Sequence, residues 1–292
     1  MEEHMGTKQG DFRAAREALE IETIDLDDEG FLSPGISTWI EQIRQENSEW
    51  FELAWKLNRI GQRQLVALMK VTGMDTQKFL SALLFMRGLQ NAQSAVMLAE
   101  RGMTSDALAL ARSIFEAVFR LDALHRNKDF VSRFVRDDMD RRSKLVRVFL
   151  DGNVGTRTFD ATETARLNQF LDEARSSGPT LPIFDGAKGV TLHQFYDGFF
   201  RGISDDLVHA SLATLRRHVR MDDKGHFAGF QWGPDVLHVA DALRATAFGW
   251  AHLITLSHEI FGEDAPMPGF EQCWAEYQRL VTEMPEHTPL MD

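Results

Sequence analysis

The chain has one cysteine, Cys273, two tyrosines and eight prolines among 292 residues. A single thiol excludes an internal disulfide framework and fits a reducing compartment. Positive charge is also short: 32 lysines and arginines against 44 aspartates and glutamates give a formal net charge of -12. That balance argues against general affinity for nucleic acid or anionic membrane, while leaving room for a local basic patch. No apolar run reaches the roughly 18 residues of a membrane span. The opening residues, MEEHMGTKQGDF, are too polar for a signal peptide. Glycine-rich phosphate loops, zinc signatures and dinucleotide fingerprints are absent. These absences lead us to expect a cytoplasmic protein with no membrane partner and no cofactor.

What the chain does have is helical periodicity. Its 43% hydrophobic content is ordinary for a globular protein, and its length suffices for a substantial core. Residues 1-35 read as an acidic N-terminal arm, in which FRAAREALE leads into EIETIDLDDEG and a break at Ser33-Pro34-Gly35. Residues 36-262 read as a single helical domain. Residues 263-292 read as a Pro-containing C-terminal tail with one short helix around Cys273 to Thr282.

Within the domain, Thr38 and Glu41 have capping-box spacing and open a long helix to about Val71. A second helix runs from about Asp75 to Arg101, with Gly102 as its stop. A third runs from Thr104 to about Arg126, and a charged fourth from Asp129 to Leu150. Asp160 and Glu163 form another N-terminal box, for a helix to about Ser176. A long helix is expected from Thr191 to Arg220. The last begins with Pro234 in its first turn and ends near Phe261. DDKGHFAGFQWGP suits a turn or short hairpin. The expected fold is therefore all-α, a multi-helix bundle of six or seven long helices with at most a short hairpin.

The segment ALALARSIFEAVFRLDAL, residues 107-124, is apolar almost all the way round a helix, yet it carries Arg112, Glu116 and Arg120 four residues apart. Such a helix is buried, and buried charge is costly unless paired. Glu116 is placed to meet an arginine on either side. Deep burial would make Glu116→Ala cost roughly 3-5 kcal/mol. Arg87, Asn91 and Ser94 form a second polar seam on the preceding helix, and the two seams could face each other. The pair is either an internal salt-bridge lock or the floor of a site.

Three further patterns bear on chemistry. In YDGFFRGISDDLVH, Tyr196, Arg201, Ser204, Asp205, Asp206 and His209 lie within a few turns. His209 is a candidate general acid or base, with Asp206 to orient it. A hydrolase triad of Ser204 and His209 on one helix has poor geometry. Asp-x-x-His recurs at Asp122/His125, Asp206/His209, Asp223/His226 and Asp235/His238. The facing glutamates of a di-metal bundle are not evident, so no metal is expected. In RFVRDDMDRRSKLVR, Asp137, Asp138 and Asp140 each precede a cation by four residues, the spacing of surface ion pairs.

GLQNAQSAVMLAERGMTSDALALARSIFEAVFRL and the later FYDGFFRGISDDLVHAS together resemble a helical family of bacterial proteins classed as a domain of unknown function. Its hallmarks are an Arg-Ser-x-x-Glu on one helix and a Tyr…Ser-x-x-x-x-His on a later one. Here they fall on Arg112, Ser113 and Glu116, and on Tyr196, Ser204 and His209. The resemblance covers roughly Phe79 to Phe261 and implies no particular activity. More loosely, the chain is similar to the HEPN superfamily, helical proteins common in toxin-antitoxin and phage-defence systems. Many of those are metal-independent ribonucleases with an Arg-x(4-6)-His motif and a site shared across a dimer. Arg120/His125 and Arg220/His226 have that spacing, whereas Arg201 to His209 is longer.

These readings converge on a polar interior site built from Arg112, Glu116, Ser204 and His209. The looser resemblance implies RNA met at a confined patch, a homodimer or protein partner, and a stress or defence setting. The rival is a non-catalytic helical interaction module whose charged seam only fixes helix register.

Overall fold

The computed structural model describes residues 29-152, 159-175, 215, 218-222, 224-230 and 232-284. The described helices are α1 (Ile36–Glu46), α2 (Ser48–Leu68), α3 (Thr76–Ala99), α4 (Thr104–Arg126), α5 (Phe130–Leu150), α6 (Ala161–Arg175), α7 (Val239–Phe261) and α8 (Phe270–Glu283). One antiparallel hairpin, β1 (Val219–Met221) and β2 (Phe227–Phe230), accompanies them. The fold is all-α, a multi-helix bundle with a short hairpin. No described helix is long and apolar enough to cross a membrane.

Helices α3, α4 and α7 pack against one another, and α2 closes their open side. The core they share holds Trp250, Phe51, Phe85, Phe115 and Phe119, each almost fully removed from solvent. Helix α8 lies on α2 and α7, and its Cys273 and Leu280 join the same core. Helix α5 pairs mainly with α6 and touches α3 and α4. At Gly88 of α3 an added Cβ would stand 2.7 Å from Leu253 Cδ2, so the missing side chain permits the close approach of α3 and α7. Buried Gln64 of α2 fastens the layers, donating from Nε2 to the carbonyls of Ile254 and Ala265, each at 3.1 Å. Two backbone acceptors facing the core are satisfied in this way.

Local capping chemistry sets several helix ends. Asp75 Oδ1 accepts from the Lys78 amide at 2.8 Å and opens α3. Gly102, at φ 69°, closes it: Gly102 N donates to Ala99 O and Met103 N to Leu98 O, the two bonds of a Schellman stop. Asp160 and Glu163 form a reciprocal capping box: Glu163 N donates to Asp160 Oδ1, and Asp160 N to Glu163 Oε2.

Three boundaries differ from the sequence expectations. The helix expected from Thr38 to Val71 is two helices, α1 and α2. Asn47 leaves the helical region at φ -117°, ψ 28°, and its Nδ2 donates back to Ile43 O. An asparagine side chain that bonds a nearby backbone carbonyl offers the chain a turn in place of continued helix. Thr38 lies inside α1, which Gly35 opens without a side-chain cap. The helix expected from Thr191 does not reach Arg220, because residues 219-221 pair with β2, and most of its expected span lies outside the described residues. The Asp222 carboxylate holds that hairpin's turn by accepting from the Lys224 and His226 amides. Finally, α7 begins at Val239 and not at Pro234. Asp235 Oδ1 takes the Leu237 and His238 amides in a turn ahead of the helix.

Candidate functional site

The charged seam of α4 opens to solvent on one side. Arg112 Nη1 lies 2.7 Å from Glu116 Oε1, and the two side chains are 22% and 25% exposed. The seam is therefore half-buried and not sealed. One turn on, the Arg120 guanidinium sits over the Phe134 ring of α5, 5.4 Å from its centroid. Burial pushes the Arg120 pKa down and the nearby Arg141 cation pushes it further, while Glu116 and Asp137 pull the other way. Asp137 is itself buried, and its Oδ2 meets Arg141 Nη2 at 3.0 Å.

Arg120 thus links the charges of α4 and α5 into one cluster of three arginines, 112, 120 and 141, and two carboxylates, 116 and 137. These groups can bind an anion through guanidinium N–H donors. Arginine and glutamate do not exchange protons efficiently near neutrality, so acid-base work there needs a further group. Ser113 is no such group, since its hydroxyl donates to Ala109 O in the turn below.

The partners the structure gives Arg120 come from α5 and its own helix. Of the second seam, Arg87 is exposed, Asn91 buried and Ser94 half-buried. Tyr196, Arg201, Ser204, Asp205, Asp206 and His209 lie outside the described residues. Arg120 and His125 do not converge: Arg120 turns to α5, while His125 Nε2 lies 3.8 Å from Glu259 Oε2 of α7. His226 is engaged in the hairpin turn, its Nδ1 3.4 Å from Asp222 Oδ2.

The Asp-x-x-His spacings separate in the same way. Asp122 pairs with Arg126 at 2.7 Å, and Asp223 lies outside the described residues. Only Asp235 and His238 meet among the described residues, at 2.8 Å. Among the described residues, no three His, Cys, Asp or Glu side chains gather where a metal ion could bind. On α5 the expected pairs form between Asp137 and Arg141, Asp138 and Arg142, and Asp140 and Lys144.

Two clusters go beyond the sequence expectations. Asp235, whose spacing to His238 the chain already marks, also accepts from Thr104 where the α3-α4 turn meets the lead into α7. Lys56, Arg59 and Arg63 face α8 across a cavity. The signal for the second was present, since spacings of three and seven place all three cations on one helix face.

The family model "Family of unknown function (DUF5677)" matches residues 78–227, just over half of the chain. The chain belongs to this family. The match takes in α3, α4, α5 and α6, and hence every residue of the α4-α5 charge cluster. Helices α2, α7 and α8 lie outside it, although α7 supplies much of the core. Neither a curated protein nor a solved structure matches the chain.

Proposed function

We propose that the α4 seam is the floor of a phosphate-binding site that Ser204 and His209 complete, and that the protein cleaves RNA without a metal, as HEPN-like ribonucleases do. The supporting observation is the charge of the α4-α5 cluster. Its three arginines exceed its two carboxylates, and Arg120 is held half-buried beside the like charge of Arg141. A bound phosphate would relieve that repulsion.

In this reading His209 takes the proton of a ribose 2′-hydroxyl. The 2′-oxygen forms its bond to phosphorus as the bond to the 5′-oxygen breaks, and the leaving oxygen takes up a proton from solvent water. Arg112, oriented by Glu116, stabilises the charge on the phosphoryl oxygens. The net charge of -12 restricts RNA to this cationic cluster, which a second copy of the chain would extend. A bacterial stress or defence role belongs to the same reading.

The test is to incubate purified protein with single-stranded and structured RNA in chelator, beside Arg112→Ala, His209→Ala and His125→Ala variants. Wild type and His125→Ala should cleave, and the other two should not. No cleavage by wild type, or equal cleavage by all four proteins, overturns the proposal.

A second reading, a non-catalytic interaction module with a structural seam, has its own support. Arg112 with Glu116, and Asp137 with Arg141, are already paired along their own helices. Phe79, Leu83 and Met97 of α3 stand exposed, as do Val66 and Met69 at the end of α2. Sedimentation of wild type beside Leu83→Glu measures whether this face carries a homodimer.

A further inference from the structure

A cavity of about 240 Å³ lies between α2 and the start of α8, away from the α4 seam. Its α2 wall carries Lys56, Arg59 and Arg63. Lys56 Nζ is bound by both oxygens of Glu276, at 2.9 and 2.7 Å, so that pair is internally neutral. Arg59 and Arg63 are exposed, and among the described residues no carboxylate pairs with either. On a chain of net charge -12, this is a local excess of two positive charges facing one small space.

The opposite wall adds to the same field. Helix α8 is preceded by its N-cap Gly269, which has φ 84° and no side chain to cap the first turn. The Glu271 and Gln272 amides thus lie in an uncapped first turn, at the positive end of a helix of 14 residues, and Gln272 lines the cavity. At the floor lies Cys273, 4% exposed, a free thiol with no hydrogen-bond partner among the described residues. Burial and Glu276 push its pKa up while Lys56 and Arg59 pull it down, so the cations of α2 act directly on the floor of the cavity.

We propose that this cavity is a binding site for a small phosphate-bearing anion, held by Arg59, Arg63 and the first-turn amides of α8. Guanidinium groups and helix N-termini both offer N–H donors to phosphoryl oxygens. The volume admits a diphosphate-sized group and is below that of ordinary drug-sized pockets. The Lys56–Glu276 pair forms the neutral rim that orients α8 on α2. Nothing in this inference depends on the α4 seam.

The experiment uses the full chain and inorganic pyrophosphate as probe. Binding is measured by calorimetry for wild type, for the Arg59→Ala/Arg63→Ala double variant, and for Arg136→Ala as a control for loss of an exposed cation elsewhere. The expected result is saturable binding by wild type, weakened at least fivefold in the double variant and less than twofold in Arg136→Ala. Because Cys273 is the only cysteine, its reaction with a neutral dipyridyl disulfide gives a second readout, which pyrophosphate should slow in wild type and not in the double variant. No saturable binding by wild type, a loss smaller than fivefold in the double variant, or thiol protection that survives loss of both arginines would overturn the proposal.

Discussion

Replacing Asp235 by alanine should cost about 3 kcal/mol at neutral pH, and the structure supplies the parts of that figure. The carboxylate accepts from the Leu237 amide at 3.1 Å and the His238 amide at 3.3 Å, a capping role worth about 1 kcal/mol. It also accepts from Thr104 Oγ1 at 2.8 Å and meets His238 Nδ1 at 2.8 Å. Charge-assisted bonds of this kind contribute about 1.5–3 kcal/mol each when buried. The Asp235 side chain is 22% exposed, so solvent screening reduces the pair to about 2 kcal/mol in sum. At about 2–4 °C per kcal/mol, the melting temperature should fall by about 6–12 °C. Asp235→Asn keeps an oxygen acceptor without the charge and should fall between the two.

The pH dependence separates this account from a mere packing defect. Burial alone would raise the Asp235 pKa, but the hydrogen bond and charge of His238 and the Thr104 hydroxyl outweigh it, so the net shift is downward from 3.8. A carboxyl whose folded pKa is depressed adds stability above its unfolded value and loses it as pH falls through the folded one. The wild-type advantage over Asp235→Ala should therefore be at least as large at pH 5 as at pH 7, and shrink below about 3.8. Urea melts across that range make the comparison. An unchanged midpoint at pH 7, or a deficit that stays constant to pH 3, would refute the reasoning.

Burial among Phe248 and Trp274 lowers the His252 pKa from 6.5 to about 4. The unfolded chain takes this proton first, so stability should decline by about 3 kcal/mol as pH falls from 6.5 to 4, and His252→Phe should flatten that slope in urea melts. Glu116→Ala should cost only about 0.3–1 kcal/mol in a thermal melt, not the 3–5 kcal/mol that a sealed seam implies, because its pair with Arg112 is partly exposed on one helix. Gly102→Ala should cost about 2–4 kcal/mol by denaturant titration, combining a left-handed alanine with a Cβ 2.7 Å from Pro234 Cβ.

The helix ends legible in the chain are those whose causes are local. Asp75 caps α3 through an amide three residues on, Gly102 stops it through bonds to Leu98 and Ala99, and Asp160 and Glu163 cap each other. The start of α7 was illegible because its cause is distant in sequence. Asp235 N donates to Gly102 O, and its carboxylate reaches Thr104, so the lead into α7 is pinned to the α3-α4 turn before the helix can begin. The break at Asn47 was local in cause, but asparagine is compatible with either continued helix or a turn, and only the observed dihedrals decide between them.

The same distinction governs the candidate site. Residues four apart on a helix are offset by about 40°, so Arg112 and Glu116 had to share a face, as did the three ion pairs of α5. Residues five apart are offset by about 140°. On an unbroken helix an Arg-x(4)-His spacing therefore sends its two side chains to different neighbours, and α4 runs unbroken to Arg126. Arg120 turns to Phe134 of α5 and His125 toward Glu259 of α7 for that reason. Which neighbour each face meets depends on how α5 and α7 dock, which no spacing within α4 encodes. Lys56, Arg59 and Arg63 are the converse case: their spacing marks one cationic face, but the chain's net charge of -12 draws attention away from it, and only the docking of α8 turns that face into a cavity wall.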